Sequence, residues 1–223
     1  MDIKTRVMVV KMLKEERLES FLDGNVYMNS AAYFKTLESG DVVRADSHEG
    51  AHSAIQVKEL SVQGENDEWI PISGLINPLV YFTEESSNFN MFCMYMFTDQ
   101  PNDPFDERNL AFGERFAMIV NLPEFLRRVK VAAERLGREC VYAPVEYVAN
   151  ETHDGYMGPF RKFDSFAYQH EYRIVLAGGD GKPTTLPIGD IRDITYCGPI
   201  TKLSEVIEQL KKNAALEQKA SAA

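Results

Sequence analysis

The run MFCMYMF, from Met91 to Phe97, is apolar at every position. A strand with one face in water alternates apolar and polar residues, whereas this run presents apolar side chains on both faces. We therefore expect it to be a central strand, covered on each side by other parts of the chain. Cys93 lies inside the run, so its thiol is expected to be buried.

Further strands are predicted where β-branched and aromatic residues are bounded by turn residues. The predicted strands are segments 6–12, 54–62, 69–72, 79–83, 116–120, 140–148, 171–176 and 191–196. Segments 54–62 and 69–72 are expected to form a hairpin, and Pro144 places segment 140–148 at a sheet edge or a bulge. The sequence Gly-Gly-Asp-Gly at 178–181 predicts a second hairpin turn.

Helical periodicity predicts about four helices, in segments 14–22, 30–37, 122–136 and 201–214. The clearest is 122–136, which has a single apolar stripe. Strands outnumber helices and do not alternate with them, which favours an α+β fold with a mixed, mostly antiparallel sheet core and about four flanking helices. We expect residues 1–215 to form a single α+β domain and residues 216–223 to form a flexible tail.

The chain carries a formal net charge of −10 over 223 residues. This acidity argues against broad nucleic-acid binding, which requires a surface rich in lysine and arginine. No apolar run reaches about 18 residues and no signal peptide is expected, so we predict a cytoplasmic protein without a membrane span. The three cysteines are expected to be buried thiols in a reducing compartment.

Segment 158–176, GPFRKFDSFAYQHEYRIVL, changes from an aromatic, basic loop into a strand. Glu171 stands at the change, and Gln169 precedes it by two residues on the same face. A glutamate walled by the neighbouring aromatic rings would be partly desolvated, and could accept a hydrogen bond from a substrate hydroxyl or stabilise positive charge. The competing interpretation is an exposed strand glutamate paired with Arg173 or Lys162.

Residues 48–52, His-Glu-Gly-Ala-His, match the H-E-x-x-H pattern, in which two histidines on one helix face bind zinc and the glutamate acts as a general base. A glycine at the centre of the motif weakens the helix that this pattern needs. Two interpretations stay open: a zinc site formed by His48, Glu49 and His52, or a solvated loop whose histidines bind nothing.

The order of motifs resembles a large bacterial and phage family of unknown function. The resemblance rests on D-x-x-E at 46–49, on Phe-Cys-Met-Tyr at 92–95 and on K-x-x-x-F-x-Y-x-x-E-Y-R at 162–173. The last motif is also similar to the final motif of ADP-ribosyltransferases, which carry Q/E-x-E at the start of a strand. Here that triplet is Gln169-His170-Glu171.

By this resemblance, Glu171 would contact the nicotinamide ribose hydroxyl of NAD and stabilise an oxocarbenium-like transition state, and Gln169 would help to place the acceptor. Arg6 and Arg44 both compete for the first-strand arginine of that family, and Ser86-Ser87 is the nearest match to its middle Ser-Thr-Ser. The candidate NAD-binding residues are Arg44, Tyr33, Tyr168 and Lys162.

Three functional hypotheses follow. The first is an NAD-dependent ADP-ribosyltransferase-like effector, a toxin or phage-conflict protein that transfers ADP-ribose to a macromolecular acceptor, with NAD as co-substrate. The alternative is a non-catalytic acidic binding module or inhibitor that attracts a basic partner. The further alternative is a zinc-dependent hydrolase that uses His48, Glu49 and His52.

Overall fold

The structure, a computed structural model, describes residues 6–36, 46–74, 77–84, 88–100 and 103–222. Its α-helices are α1 (Glu15–Leu22), α2 (Ala31–Thr36), α3 (Leu122–Arg135) and α4 (Leu203–Ala222). Its strands are β1 (Val7–Leu13), β2 (Asn25–Ser30), β3 (Ser53–Ile55), β4 (Leu60–Gln63), β5 (Trp69–Ile72), β6 (Leu79–Tyr81), β7 (Phe89–Thr98), β8 (Arg115–Ile119), β9 (Cys140–Pro144), β10 (Glu146–Val148), β11 (Gly155–Tyr156), β12 (Arg161–Phe163), β13 (Glu171–Ala177), β14 (Thr184–Pro187) and β15 (Thr195–Pro199). The predicted α+β class is confirmed.

Strand β7 is the centre of an eight-stranded sheet. On one edge it pairs antiparallel with β1 and, further along, with β2. On the other edge it pairs antiparallel with β13, which in turn pairs with β9. Beyond β1 the sheet continues through β8 to β15, and beyond β2 to β14. The central position predicted from the apolar run at 91–97 is confirmed.

Both faces of β7 are covered, which explains why the strand has no polar face. On one face, Phe92 stacks on Phe21 of α1 at 5.7 Å between ring centroids, and Phe21 contacts Phe125 of α3. On the other face, Phe97 belongs to a buried cluster with Leu203 of α4. Helices α1 and α3 therefore pack on one side of the sheet and α4 on the other.

Helix α3 follows its predicted boundaries closely. The Asn121 side chain accepts a hydrogen bond from the Glu124 backbone N–H at 3.2 Å and so caps the helix N-terminus. Gly137, with φ +66°, follows the last turn. Phe125 and Val129 from the predicted apolar stripe are fully buried, so this helix is specified largely by its own sequence.

Two predicted strands are divided in the structure. Segment 54–62 contributes β3, which pairs with β6 and β11, and separately β4, which forms the predicted hairpin with β5. Segment 140–148 divides at Val145 into β9, an edge strand of the main sheet, and β10, which pairs in parallel with β12. The edge position that Pro144 predicted is confirmed, because β9 pairs only with β13 in the described residues.

Other boundaries differ from the predictions. The hairpin predicted at 178–181 is wrong, because β14 pairs with β2 and not with β13. Segment 191–196 begins as a 3₁₀ helix, Arg192–Ile194, before β15. Helix α4 continues to Ala222, past the predicted end of the domain at 215, and the flexibility of 216–223 stays a prediction. None of the helices in the described ranges combines the length and apolarity needed to cross a membrane.

Candidate functional site

Six polar residues are buried together at one place in the fold, and we call them the charge cluster. They are Asp46, Glu49, Lys162, Gln169, Glu171 and Arg173. Each is at most 9% exposed. They come from segment 46–50, strand β12, the 3₁₀ helix Asp164–Gln169 and strand β13. Buried ionisable groups at this density are expensive unless they are paired, so their partners are the first question.

Strand β13 places two members of the cluster on one side of the main sheet. Glu171 is its first residue, opposite Tyr95 of β7, and Arg173 lies opposite Cys93. Because side chains alternate along a strand, both project away from the face covered by α1 and α3. The Glu171 backbone N–H donates to the Tyr147 hydroxyl at 2.9 Å, which anchors the start of the strand.

His170 gives the chain its change of direction between Gln169 and Glu171. Its backbone is left-handed, with φ 40° and ψ 51°, a conformation that residues other than glycine seldom adopt. Lys162 Nζ donates to Gln169 Oε1 at 2.8 Å and to Glu171 Oε1 at 3.0 Å. The Q-x-E triplet therefore converges on a single ammonium group, with its middle residue in a strained conformation.

Arg173 holds the other side of the cluster. Its guanidinium makes a two-pronged pair with Glu49, with Nη1 and Nη2 at 2.7 and 2.6 Å from the two carboxylate oxygens. Its Nε donates to Glu171 Oε2 at 2.7 Å. Lys162 also lies 3.3 Å from Asp46. Three carboxylates thus share two cations, which leaves the cluster with one negative charge in excess.

These contacts fix the ionisation of the cluster. Burial alone would raise the pKa of Glu171, but Arg173 and Lys162 outweigh it and hold the pKa well below its usual range. Burial likewise opposes the charge of Lys162, yet Glu171, Glu49 and Asp46 raise its pKa above the ordinary value. Glu171 is therefore a carboxylate and Lys162 an ammonium ion at neutral pH.

Cys93 lies beside the charge cluster, opposite Arg173, and its thiol is uncharged at neutral pH. Burial, and secondarily Glu171, raises the pKa of this thiol to about 12. A thiol that stays protonated at neutral pH is a poor nucleophile and a poor metal ligand. The three cysteines are all free thiols in the structure.

The structure bears on the burial and the ion partners of Glu171, and its catalytic role stays a prediction. Glu171 does pair with Arg173 and with Lys162, as the surface interpretation predicted, but it is buried and not exposed. Lys162, proposed as a NAD-binding residue, lies at the centre of the cluster. Tyr168 borders it: Gln169 Nε2 donates to the Tyr168 hydroxyl at 3.4 Å, and the ring lies 3.9 Å from the Arg108 guanidinium carbon.

The other two predicted NAD-binding residues lie elsewhere. Tyr33 is an exposed residue of α2 whose ring meets Phe34 edge to face at 5.5 Å. Arg44 lies outside the described residues, as do Ser86 and Ser87. The roles proposed for Tyr33 and Arg44 stay predictions.

The H-E-x-x-H motif contributes a glutamate to the charge cluster. Its residues form a turn and not a helix, and Glu49 is engaged by Arg173. The rings of His48 and His52 pack on two different aromatic residues, at 5.2 and 5.5 Å. Across the described ranges, no group of three or more His, Cys, Asp or Glu is arranged to hold a metal ion. The zinc alternative gains no support from this geometry.

The sequence did not predict that Asp46 and Glu49, from the first half of the chain, pair with Lys162 and Arg173, the two cations that hold Glu171. The two motifs quoted for the resemblance, D-x-x-E at 46–49 and the closing motif at 162–173, contact each other here through three ion pairs closer than 4.0 Å. Their co-occurrence in the sequence was the one available signal that they belong to a single site.

Comparison of the chain with protein-family models, with curated proteins and with solved structures finds no match in any of the three.

Proposed function

We propose that the charge cluster is the active site of an NAD-dependent ADP-ribosyltransferase-like effector, a toxin or phage-conflict protein. In this proposal ADP-ribose is transferred to a macromolecular acceptor. The observation that carries the proposal is the convergence of Gln169 and Glu171 on Lys162 across the left-handed His170. Strained backbone and strongly perturbed ionisable groups concentrate at functional sites.

Each residue has a role in the proposed reaction. The bond between the ribose C1′ and the nicotinamide nitrogen breaks, nicotinamide leaves with the electron pair, and positive charge develops on the ribose. Glu171, held as a carboxylate, stabilises that charge and accepts a hydrogen bond from a ribose hydroxyl. The acceptor then forms a bond to C1′ through an oxygen or nitrogen lone pair and releases its proton to solvent, and Gln169 helps to place it. Lys162 and Arg173 keep Glu171 ionised and fixed.

The same contacts impose a requirement on substrate binding. Glu171 Oε1 is engaged by Lys162 and Oε2 by Arg173, while segment 46–50 contacts both cations. Each oxygen could accept a second hydrogen bond, but Glu171 is only 9% exposed, so a ribose hydroxyl reaches it only if one of these partners moves. NAD carries a diphosphate, which is a suitable anion for the cation that is released.

The direct test is nicotinamide release from NAD in the presence of candidate acceptors. Glu171→Gln keeps the shape of the side chain and removes its charge, so we expect turnover to fall about 10²- to 10³-fold, as for loss of one electrostatic stabiliser. Glu146→Gln is the matched control, because Glu146 forms an exposed pair with Arg161 on the neighbouring β10–β12 sheet. Equal turnover in both variants would overturn the proposal.

One observation favours a second candidate, the non-catalytic acidic binding module. Every carboxylate of the cluster already has a cation partner, as a purely structural network would require. In that case the wild-type protein would not consume NAD, and Glu171→Gln would change stability alone. Binding to a basic partner would then weaken at high salt, because the attraction would come from exposed charges.

A further inference from the structure

The β4–β5 hairpin has one face made entirely of aliphatic side chains. Its register places Leu60 opposite Ile72 and Val62 opposite Ile70. Because side chains alternate across a strand, these four share one face. The opposite face carries Ser61, Gln63, Trp69 and Pro71.

This aliphatic face is not covered by the rest of the described chain. Val62 and Ile70 are each 46% exposed and Ile72 is 41% exposed. Among the described residues, β4 and β5 pair only with each other. An isolated two-stranded hairpin is marginal in water, and contiguous exposed apolar residues mark interaction sites. The alternation of apolar and polar side chains along β4 and β5 would be hard to explain if the hairpin served only as a solvated loop.

The charges around the hairpin indicate what would cover it. Four exposed carboxylate side chains lie on or beside it, those of Glu59, Glu65, Asp67 and Glu68. One lysine, Lys58, lies beside it. A second copy of the chain would bring the same excess of negative charge, added to a net charge of −10. Like charges oppose such contact, whereas a cationic partner gains attraction at the rim and apolar burial at the centre.

We propose that the aliphatic face of the β4–β5 hairpin is the docking surface for a cationic polypeptide segment that presents apolar residues at alternate positions. The four aliphatic side chains supply the central contact, and the acidic turn at 65–68 supplies orientation. This surface is separate from the charge cluster, and the proposal does not rest on NAD chemistry.

Trp69 makes the proposal directly measurable, because it is the only tryptophan in the chain and lies in β5, 68% exposed. The probe is a ten-residue synthetic peptide of alternating lysine and valine, titrated against the protein while Trp69 emission is recorded. Matched peptides replace lysine with glutamate, or valine with glycine. We expect a saturable emission change with the lysine–valine peptide alone, weakening as salt is added.

Two variants separate the parts of the proposal. The double variant Val62→Ser/Ile70→Ser removes the apolar centre, and we expect at least a tenfold loss of affinity. Glu65→Lys/Glu68→Lys leaves the aliphatic face intact and reverses the rim charge, and should weaken binding of the lysine–valine peptide while improving that of the glutamate–valine peptide. Glu171→Gln should bind as the wild type does, which distinguishes this surface from the charge cluster.

Three outcomes would overturn the proposal. The first is the absence of saturable binding by the lysine–valine peptide. The second is equal binding of the lysine–valine and glutamate–valine peptides, which would mean that charge plays no part. The third is a wild-type dimer that Val62→Ser/Ile70→Ser converts into a monomer, which would make a second copy the occupant.

Discussion

Arg173 and Arg192 both pair with carboxylates at nearly the same distances, but Arg173 is buried and Arg192 is exposed. Arg173 contacts Glu49 and Glu171 at 2.6 and 2.7 Å and its side chain is 1% exposed. Arg192 contacts Glu19 and Asp23 at 2.7 and 2.9 Å and its side chain is 42% exposed. Asp190 is a third partner of Arg192.

The difference shows that burial, and not contact distance, decides how strongly the loss of one partner of an ion pair affects stability. An exposed pair is screened by water and salt and contributes little. A buried pair loses its hydration, so removal of one partner leaves the other as an uncompensated charge. Well-packed apolar residues can often replace such a network without loss of stability, so the pairing by itself does not decide between a structural and a catalytic role.

Removal of Arg173 should have the largest effect on stability. Arg173→Met leaves Glu49 and Glu171 buried without their main cation, and we expect the free energy of unfolding to fall by about 3–5 kcal/mol. Urea denaturation followed by circular dichroism measures this change. Arg173→Lys keeps the charge but loses the two-pronged geometry, so its loss should be smaller; equal losses would show that geometry alone matters.

Glu171→Gln should cost less stability than Arg173→Met. It removes the excess negative charge and leaves two carboxylates for two cations. Because the neutral amide bonds Lys162 and Arg173 more weakly than the carboxylate does, we expect the free energy of unfolding to fall by about 1–3 kcal/mol. Its loss of NAD turnover, about 10²- to 10³-fold, should be present under conditions in which the variant is still folded. A urea midpoint as low as that of Arg173→Met would contradict this account of the charge balance.

The stability of the protein should depend on Glu171 at acid pH. Its pKa in the folded protein lies below the ordinary value of 4.5 because of Arg173 and Lys162. The stabilisation is therefore complete above about pH 4.5 and is lost as the pH falls further. We expect the stability gap between wild type and Glu171→Gln to begin to narrow at about pH 5 and to continue narrowing as the pH falls through about 3, because the loss is complete only below the lowered pKa. A gap that stays constant across that range would contradict the assignment.

Arg192→Met should have the smallest effect. All three carboxylates it releases are exposed and can be hydrated, so the urea midpoint should be close to that of the wild type. Any small loss should disappear in high salt, because only screened interactions are removed. A loss comparable to that of Arg173→Met would break the contrast between the two arginines.

Local patterns in the sequence were sufficient for much of the scaffold. The all-apolar run at 91–97 predicted the central strand, and the stripe of α3 predicted a helix that starts and stops within one residue of the structure. Glu171 was correctly placed at the start of a strand. The hairpin at 178–181 failed because the partner of β14 is β2, far away in the chain, which no local pattern shows.

The charge cluster could be predicted only in part for the same reason. Arg173 and Glu49 are 124 residues apart, and their pairing depends on how segment 46–50 folds over the sheet. The H-E-x-x-H spacing instead suggested two local interpretations, a zinc site or a solvated loop, and neither of them pairs Glu49 with Arg173. Burial of a glutamate is decided by tertiary packing, so the sequence left the exposed and the buried interpretations of Glu171 equally open.

A structure determined with bound NAD tests the central claim most directly. The proposal predicts a nicotinamide ribose hydroxyl at hydrogen-bond distance, roughly 2.6–3.2 Å, from the Glu171 carboxylate. One of the contacts from Lys162 or Arg173 to Glu171 should be exchanged for it, and density beside Arg44 would identify the NAD-binding arginine. NAD bound away from Glu171, or an unaltered charge cluster at saturating NAD, would contradict the proposal.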